Sequence, residues 1–239
     1  MKLNLVLLLI FTNFILVKAQ SKWTLGAVFR PENGNRHLVQ KSDYINAPNI
    51  IRMRNDIETG RLCYTFGIAA KYPLGKKSFI ESGLYMSDKG YQTVEIPVTT
   101  LENPDPAINF NTMQFVYHHY YIDIPITAHY QFKLNDKYNL QTGLGICNSF
   151  NTDVYQTSYF TNEAGVTTRQ KSTDKDRYNY QSYLLSGVIS ARVERAINER
   201  LSASVEVRGQ YASSTTIKSN NIGEHLWTAG LGFGVWYKM

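Results

Sequence analysis

Cysteine is nearly absent: the 239 residues include only Cys63 and Cys147, which makes no disulfide scaffold. Long apolar runs are missing as well. Beyond residue 19 no stretch approaches the roughly 18 to 20 uninterrupted apolar residues that a spanning helix needs, so a helical membrane protein is excluded. Charge of one sign is in short supply too. The formal net charge is +6, and removing Lys2 and Lys18 with the leader described next leaves 23 basic against 19 acidic residues. An excess of that size gives no sign of a nucleic-acid partner.

The first nineteen residues have the composition of an export signal: Lys2 is the positive start, Leu3 to Val17 the apolar stretch and Val17-Lys18-Ala19 a small-residue cleavage site. The expected division is therefore a signal over 1–19, cleaved after Ala19, and one domain over 20–239. Gln20 then begins the mature chain, and because it is not a cysteine it offers no lipid-anchor attachment.

What the chain does have is strict alternation of apolar and polar residues, the mark of strands with a different solvent on each face. In Tyr120 to Phe132 one face carries Tyr120, Ile122, Ile124, Ile126, Ala128, Tyr130 and Phe132; the other carries Tyr121, Asp123, Pro125, Thr127, His129 and Gln131. The pattern recurs over Lys22–Arg30, Leu62–Tyr72, Ser78–Ser87, Tyr138–Phe150, Tyr180–Arg195, Leu201–Tyr211 and His225–Lys238. No apolar face carries a charge, and the lengths suit a tilted crossing of a bilayer, about 9 to 11 residues.

Connections alternate between long and short. Tight turns at Pro73–Lys77, Leu134–Lys137 and Ala196–Arg200 separate long segments, the rhythm of outer-membrane barrels with short periplasmic turns and long outer loops. Only a closed barrel pairs every strand amide inside lipid. The fold expected is all-β: a closed antiparallel transmembrane β-barrel of about eight strands in the outer membrane, both termini in the periplasm. Weak alternation over Tyr91–Val98 leaves open an extended hairpin or a ten-strand count. Pro125, in mid-strand, implies a bulge or a gap in the ladder. Trp23, Tyr72, Tyr130, Phe132, Tyr138, Trp236 and Tyr237 stand where interfacial aromatic girdles are expected.

The segment Tyr120-Tyr121-Ile122-Asp123-Ile124-Pro125-Ile126, followed by Thr127–Phe132, a turn and Leu140-Gln141-Thr142-Gly143-Leu144-Gly145, resembles the outer-membrane β-barrel domain of Bacteroidota, the group that includes PorT-like proteins. Ile80–Tyr85 with Asp88-Lys89-Gly90-Tyr91 is similar to a second recurrent element of that family. The resemblance implies the barrel and, as one functional reading, an accessory role in a protein secretion or transport assembly.

Lys71, Glu81, Asp123, His129, Arg192, Glu194, Glu206 and Arg208 all fall on the inward face. An eight-strand barrel is only wide enough for side chains to fill, and buried charges need partners, so these eight are expected to pair and plug the lumen. Cys63 and Cys147, on nearly opposite walls, are expected to stay free thiols, since a disulfide needs Cα atoms within about 7 Å. The only adjacent histidines, His118 and His119, with Ser149 and Glu81 at a similar height, are the one candidate catalytic grouping, and nothing in their spacing is diagnostic of catalysis or of a metal. The basic loop residues Arg36, His37, Lys41, Arg52 and Arg54, and Arg169, Lys171, Lys175 and Arg177, are expected on a solvated surface touching lipopolysaccharide. The leading expectation is a non-enzymatic barrel of envelope structure or surface interaction, without a cofactor.

Overall fold

The computed structural model describes residues 23–98, 110–173, 180–218 and 221–239; the leader, Lys175 and Arg177 lie outside them. The chain forms β1 (Thr24–Gln40), α1 (Ala47–Ile57), β2 (Glu58–Pro73), β3 (Ser78–Thr93), β4 (Ile96–Pro97), β5 (Phe110–Lys133), β6 (Tyr138–Asn162), β7 (Thr167–Thr173), β8 (Tyr183–Ala196), β9 (Leu201–Ala212) and β10 (Ile222–Lys238). The strands make one antiparallel sheet, and its order β5-β3-β2-β1-β10-β9-β8-β6 closes through a β5–β6 pairing. Eight strands therefore form the ring. The two extra strands, β4 and β7, pair only with β5 and β6, which resolves the choice between eight and ten.

Alternation fixes which way each strand faces. Leu25, Phe29, Phe66, Ile68, Leu84, Ile126, Leu144, Ile189, Val207 and Phe233 are exposed on the outside, while Arg30, Thr65, Glu81, Thr127, Gln141, Ser190 and Glu206 are buried inside. This is the inverse of a soluble protein and requires an apolar solvent around the ring.

The strands are longer than their apolar stretches. β1 continues from Arg30 to Gln40, β5 begins ten residues before Tyr120, and β6 runs twelve residues past Phe150. Much of what reads as long outer segments is thus regular structure: residues 31–40 and 47–61 are strand and helix, and residues 151–162 and 167–173 are β6 and β7. In α1 Pro48 occupies the first turn, where a missing amide hydrogen costs no helix bond, and the helix ends as Glu58 turns extended into β2.

Pro31 in β1 and Pro125 in β5, both in mid-strand, leave gaps in the ladder without shifting its register. Pairing of β3 with β5 passes from Ser82↔Ile126 to Tyr85↔Asp123, and that of β1 with β10 from Phe29↔Phe233 to Glu32↔Gly230. Ser82 Oγ donates to the Pro125 carbonyl at 2.8 Å.

Trp236 does not join a girdle. It lies inside the barrel, fully buried, because Gly26 presents no side chain there: a Cβ on Gly26 would stand 2.3 Å from the indole ring. Tyr72, Tyr130, Phe132 and Tyr237 do face outward and are exposed.

Candidate functional site

The interior is organised in tiers. Nearest the short turns, Arg192 grips Glu81 with Nη1–Oε2 2.5 Å and Nη2–Oε1 2.9 Å, and its Nη2 also donates to Glu206 Oε1 at 3.0 Å. Glu206 takes a second donor from Arg30 Nε at 3.1 Å. Lys71 pairs with Glu194, which also accepts from Ser202 Oγ at 2.6 Å and Gln141 Nε2 at 3.0 Å. Trp236 forms the floor of this network, with Lys71 Nζ 3.6 Å and the Arg192 guanidinium 4.9 Å from its ring centre and its Nε1 donating to Ser204 Oγ at 2.9 Å.

One tier higher, Lys89 Nζ meets Asp123 Oδ2 at 2.8 Å, and Ser87 Oγ donates to the same oxygen at 3.0 Å. Glu32 accepts from Thr65 Oγ1 at 2.7 Å. A cavity beside Lys89, Leu184 and Ser186 measures about 10 Å³, barely the room one water occupies. Above it Tyr91, Tyr121, Leu184, Ala212 and Leu226 make an apolar cluster.

The mouth is roofed by a second ionic knot. Arg54, at the end of α1, reaches Glu58 at 2.8 Å, Glu224 at 3.1 Å and the Tyr91 hydroxyl at 3.0 Å. Arg36 pairs with Glu58, and Tyr91 donates to Glu224 at 3.0 Å.

Seven of the eight charges expected in the lumen lie within this arrangement. Lys71, Glu81, Arg192, Glu194 and Glu206 share the lower tier, Asp123 belongs to the middle one, and His129 stacks on Phe79 at 4.7 Å with Nε2 3.9 Å from Glu81. Arg208 is equally buried, yet among the described residues it makes no ion pair within 4 Å.

Alternation alone missed Arg30, Glu32, Lys89 and Glu224 as members. It also assigned Arg36 and Arg54 to a solvated surface, whereas both are drawn into the mouth by Glu58 and Glu224. The inward phase of β1 does continue through Arg30, Glu32, Gly34 and Arg36, but its outward partners there, Asn33, Asn35 and His37, are polar, so the contrast that marks a strand disappears.

The conceivable catalytic grouping is not assembled. Glu81 is engaged in the lower tier, Ser149 faces Lys89 at 3.3 Å, and His119 is buried inward. His118 sits apart against Asp88 at 3.1 Å and stacks on Tyr155 at 4.5 Å. Asp88 is itself paired with Arg61, which also donates to the carbonyls of Tyr117 and Lys89 at 3.1 and 3.0 Å. Gly90 makes room for that guanidinium: its φ is +148°, and a Cβ there would stand 2.0 Å from the Tyr117 carbonyl oxygen. Cys63 and Cys147 are buried and unbridged.

Beyond the apolar belt the ring wall continues, with β3 paired to β5 as far as Gln92↔Val116, and past that point β4, β5, β6 and β7 project as a sheet of their own. On β5 the belt spans Ile122 to Phe132, leaving Phe110 to Tyr121 above it, about 40 Å of strand at 3.3 Å per residue. Lys171 on β7 covers the Tyr155 ring at 3.6 Å.

The outer membrane protein beta-barrel domain matches residues 37–213, about three quarters of the chain. This chain belongs to that family. As an outer membrane protein of this family it turns its short turns to the periplasm and its projecting sheet outward. No curated protein matches it in sequence. Among solved structures it is similar to Neisserial surface protein A, with a TM-score of 0.50 at 10% identity over 92% of this chain and 98% of that one, which supports the fold. OprG of Pseudomonas aeruginosa aligns at TM-score 0.41 and 9% identity, over 92% and 97% of the two chains. The N-terminal β-barrel domain of OprF from the same organism aligns at 0.37 and 12%, over 92% and 98%.

Proposed function

We propose that this outer membrane protein is a sealed, non-enzymatic barrel whose role is surface interaction through the sheet it raises above the membrane. The observation that carries this reading is a contrast along β5 and β6. Within the ring, whose wall reaches Val116 on β5, their inward faces meet ion pairs and aromatic side chains, whereas past the pairing with β3 both strands run on with only β4 and β7 beside them. Function tends to ride on such projections from a rigid scaffold. In this reading residues 1–19 direct export and are removed after Ala19, and the eight lumen charges plug the barrel. Lys41 and Lys171 at the outer rim meet the phosphates of lipopolysaccharide, and no cofactor takes part.

The likeness of Tyr120–Ile126 and its following hairpin to the PorT-like barrels of Bacteroidota supports a second reading, an accessory component of a secretion or transport assembly. One experiment addresses both. Replacing residues 110–115 and 158–173 each by a short turn leaves every pairing of β3 with β5 in place, so the variant still shows heat-modifiable migration. The surface reading expects loss of adhesion or of crosslinked surface partners from native membranes. Crosslinking to secretion components favours the second reading, and adhesion and crosslinking both unchanged by the replacement overturn the first.

A further inference from the structure

The periplasmic end repeats one unit around the ring. Each of the three turns opens with an apolar residue and closes with a cation: Leu74-Gly75-Lys76-Lys77, Leu134-Asn135-Asp136-Lys137 and Ile197-Asn198-Glu199-Arg200. Their backbone bonding is the same. The first two amides donate to one carbonyl, that of Ser78 (2.9 and 3.2 Å), Tyr138 (3.0 and 3.2 Å) or Leu201 (2.8 and 3.1 Å). The carbonyl of the closing cation accepts from the next strand: Lys77 from Gln131 at 2.7 Å, Lys137 from Ala196 at 2.8 Å and Arg200 from Lys238 at 2.8 Å. Backbone bonds thus fix where each cation leaves the wall, and its side chain is exposed.

The fourth corner, where β1 begins and β10 ends, offers the same pair of chemistries. Trp23 packs at a tilt on Tyr72, ring centres 5.0 Å apart, and Lys238 is exposed beside it. The order of the ring puts the four corners two strands apart all the way round.

The apolar residue of each turn is left exposed. Leu74, Leu134 and Ile197 are 59%, 58% and 58% exposed. They continue the outward columns that contain Tyr72, Phe132 and, past the exposed Arg195, Val193, so they stand at the edge of the lipid-facing belt. The turns carry only two acids, Asp136 and Glu199. Asp136 is bound by Lys133 at 2.6 Å, whose hydrogen bond and charge hold that carboxyl below its usual range, and Lys137 is left to the surroundings.

We propose that these four corners are headgroup sites for anionic phospholipid of the periplasmic leaflet. The apolar residue sits at the acyl boundary and the adjoining cation, Lys77, Lys137, Arg200 or Lys238, meets the phosphate. A soluble anion would be served by the cation alone; the exposed apolar residue beside it, in line with the belt, selects a lipid. A cation near an anionic membrane surface is worth about a fivefold preference.

The test uses the full-length barrel in mixed micelles with equal phosphatidylglycerol and phosphatidylcholine, and native mass spectrometry to count retained lipid. The wild type is expected to retain phosphatidylglycerol at least about fivefold over phosphatidylcholine. The variant Lys77→Gln/Lys137→Gln/Arg200→Gln/Lys238→Gln loses that preference while keeping heat-modifiable migration, since the corner bonds use carbonyls. Leu74→Ser/Leu134→Ser/Ile197→Ser lowers retention of phosphatidylglycerol, and glycerol phosphate without acyl chains does not displace it. Equal retention of the two lipids by the wild type overturns the proposal, as does a preference that survives in the charge variant. Displacement by glycerol phosphate overturns the lipid assignment in favour of a soluble anion.

Discussion

Arg192 on β8 and Glu81 on β3 close two hydrogen bonds across the lumen, 2.5 and 2.9 Å long, from strands three steps apart around the ring. Both side chains are buried, so neither charge has water to fall back on. Removing one partner of such a pair costs about 3 to 5 kcal/mol, whereas replacing both by apolar groups of similar volume is far milder. Arg192→Met and Glu81→Leu should each destabilise the barrel by that amount in urea unfolding from detergent micelles, and the double variant should recover much of it. Additive losses would mean that the two residues act independently.

Lys71 and Arg192 both rest against the Trp236 ring, and that indole has its space because Gly26 lacks a side chain. Gly26→Val is expected to drive the ring out of place and destabilise by several kcal/mol, with the Trp236 fluorescence shifting to longer wavelength. Gly187, with open space around its would-be Cβ, supplies the contrast. Gly187→Ala should be neutral or stabilising by about 0.5–1 kcal/mol.

At the mouth, Arg54 ties α1 to β2, β3 and β10 through Glu58, Tyr91 and Glu224. Arg54→Ala leaves Glu224 buried with one fewer cation and frees the end of the helix. Amide exchange over residues 47–57 should quicken while the ring strands keep their protection, since local openings span a wide range of free energies. Unchanged exchange in α1 would show that the helix is held by something else.

Cys63 and Cys147 are buried inside the wall. Neither should react with a maleimide too large to enter the lumen while the barrel is folded, and both should react on unfolding. Modification of either thiol in the folded protein would reveal an interior more open than the ion-pair tiers allow.

Where two solvents meet a strand, sequence carries the fold almost without ambiguity. Ile122, Ile124 and Ile126 against Tyr121, Asp123 and Thr127 suffice to orient β5. Above the membrane both faces are polar and the signal fades, which is why Glu32 and Arg36 read as loop although β1 carries them inward. Partnership was legible only as inwardness. That Arg192 chooses Glu81, and Lys71 chooses Glu194, depends on ring order and stagger, which alternation within a strand does not encode. Trp236, near a strand end, reads as a girdle residue; the space left by Gly26, its direct partner on the neighbouring β1, takes the indole into the lumen instead.

The central claim, a closed eight-strand ring sealed by its own side chains, is tested most directly by single-channel recording in planar bilayers. Wild-type protein of verified heat-modifiability should give no stable large conductance, and Glu81→Ala/Arg192→Ala/Glu206→Ala, which empties the lower tier, should leak more than the wild type. A stable, large conductance from the wild type would contradict the account.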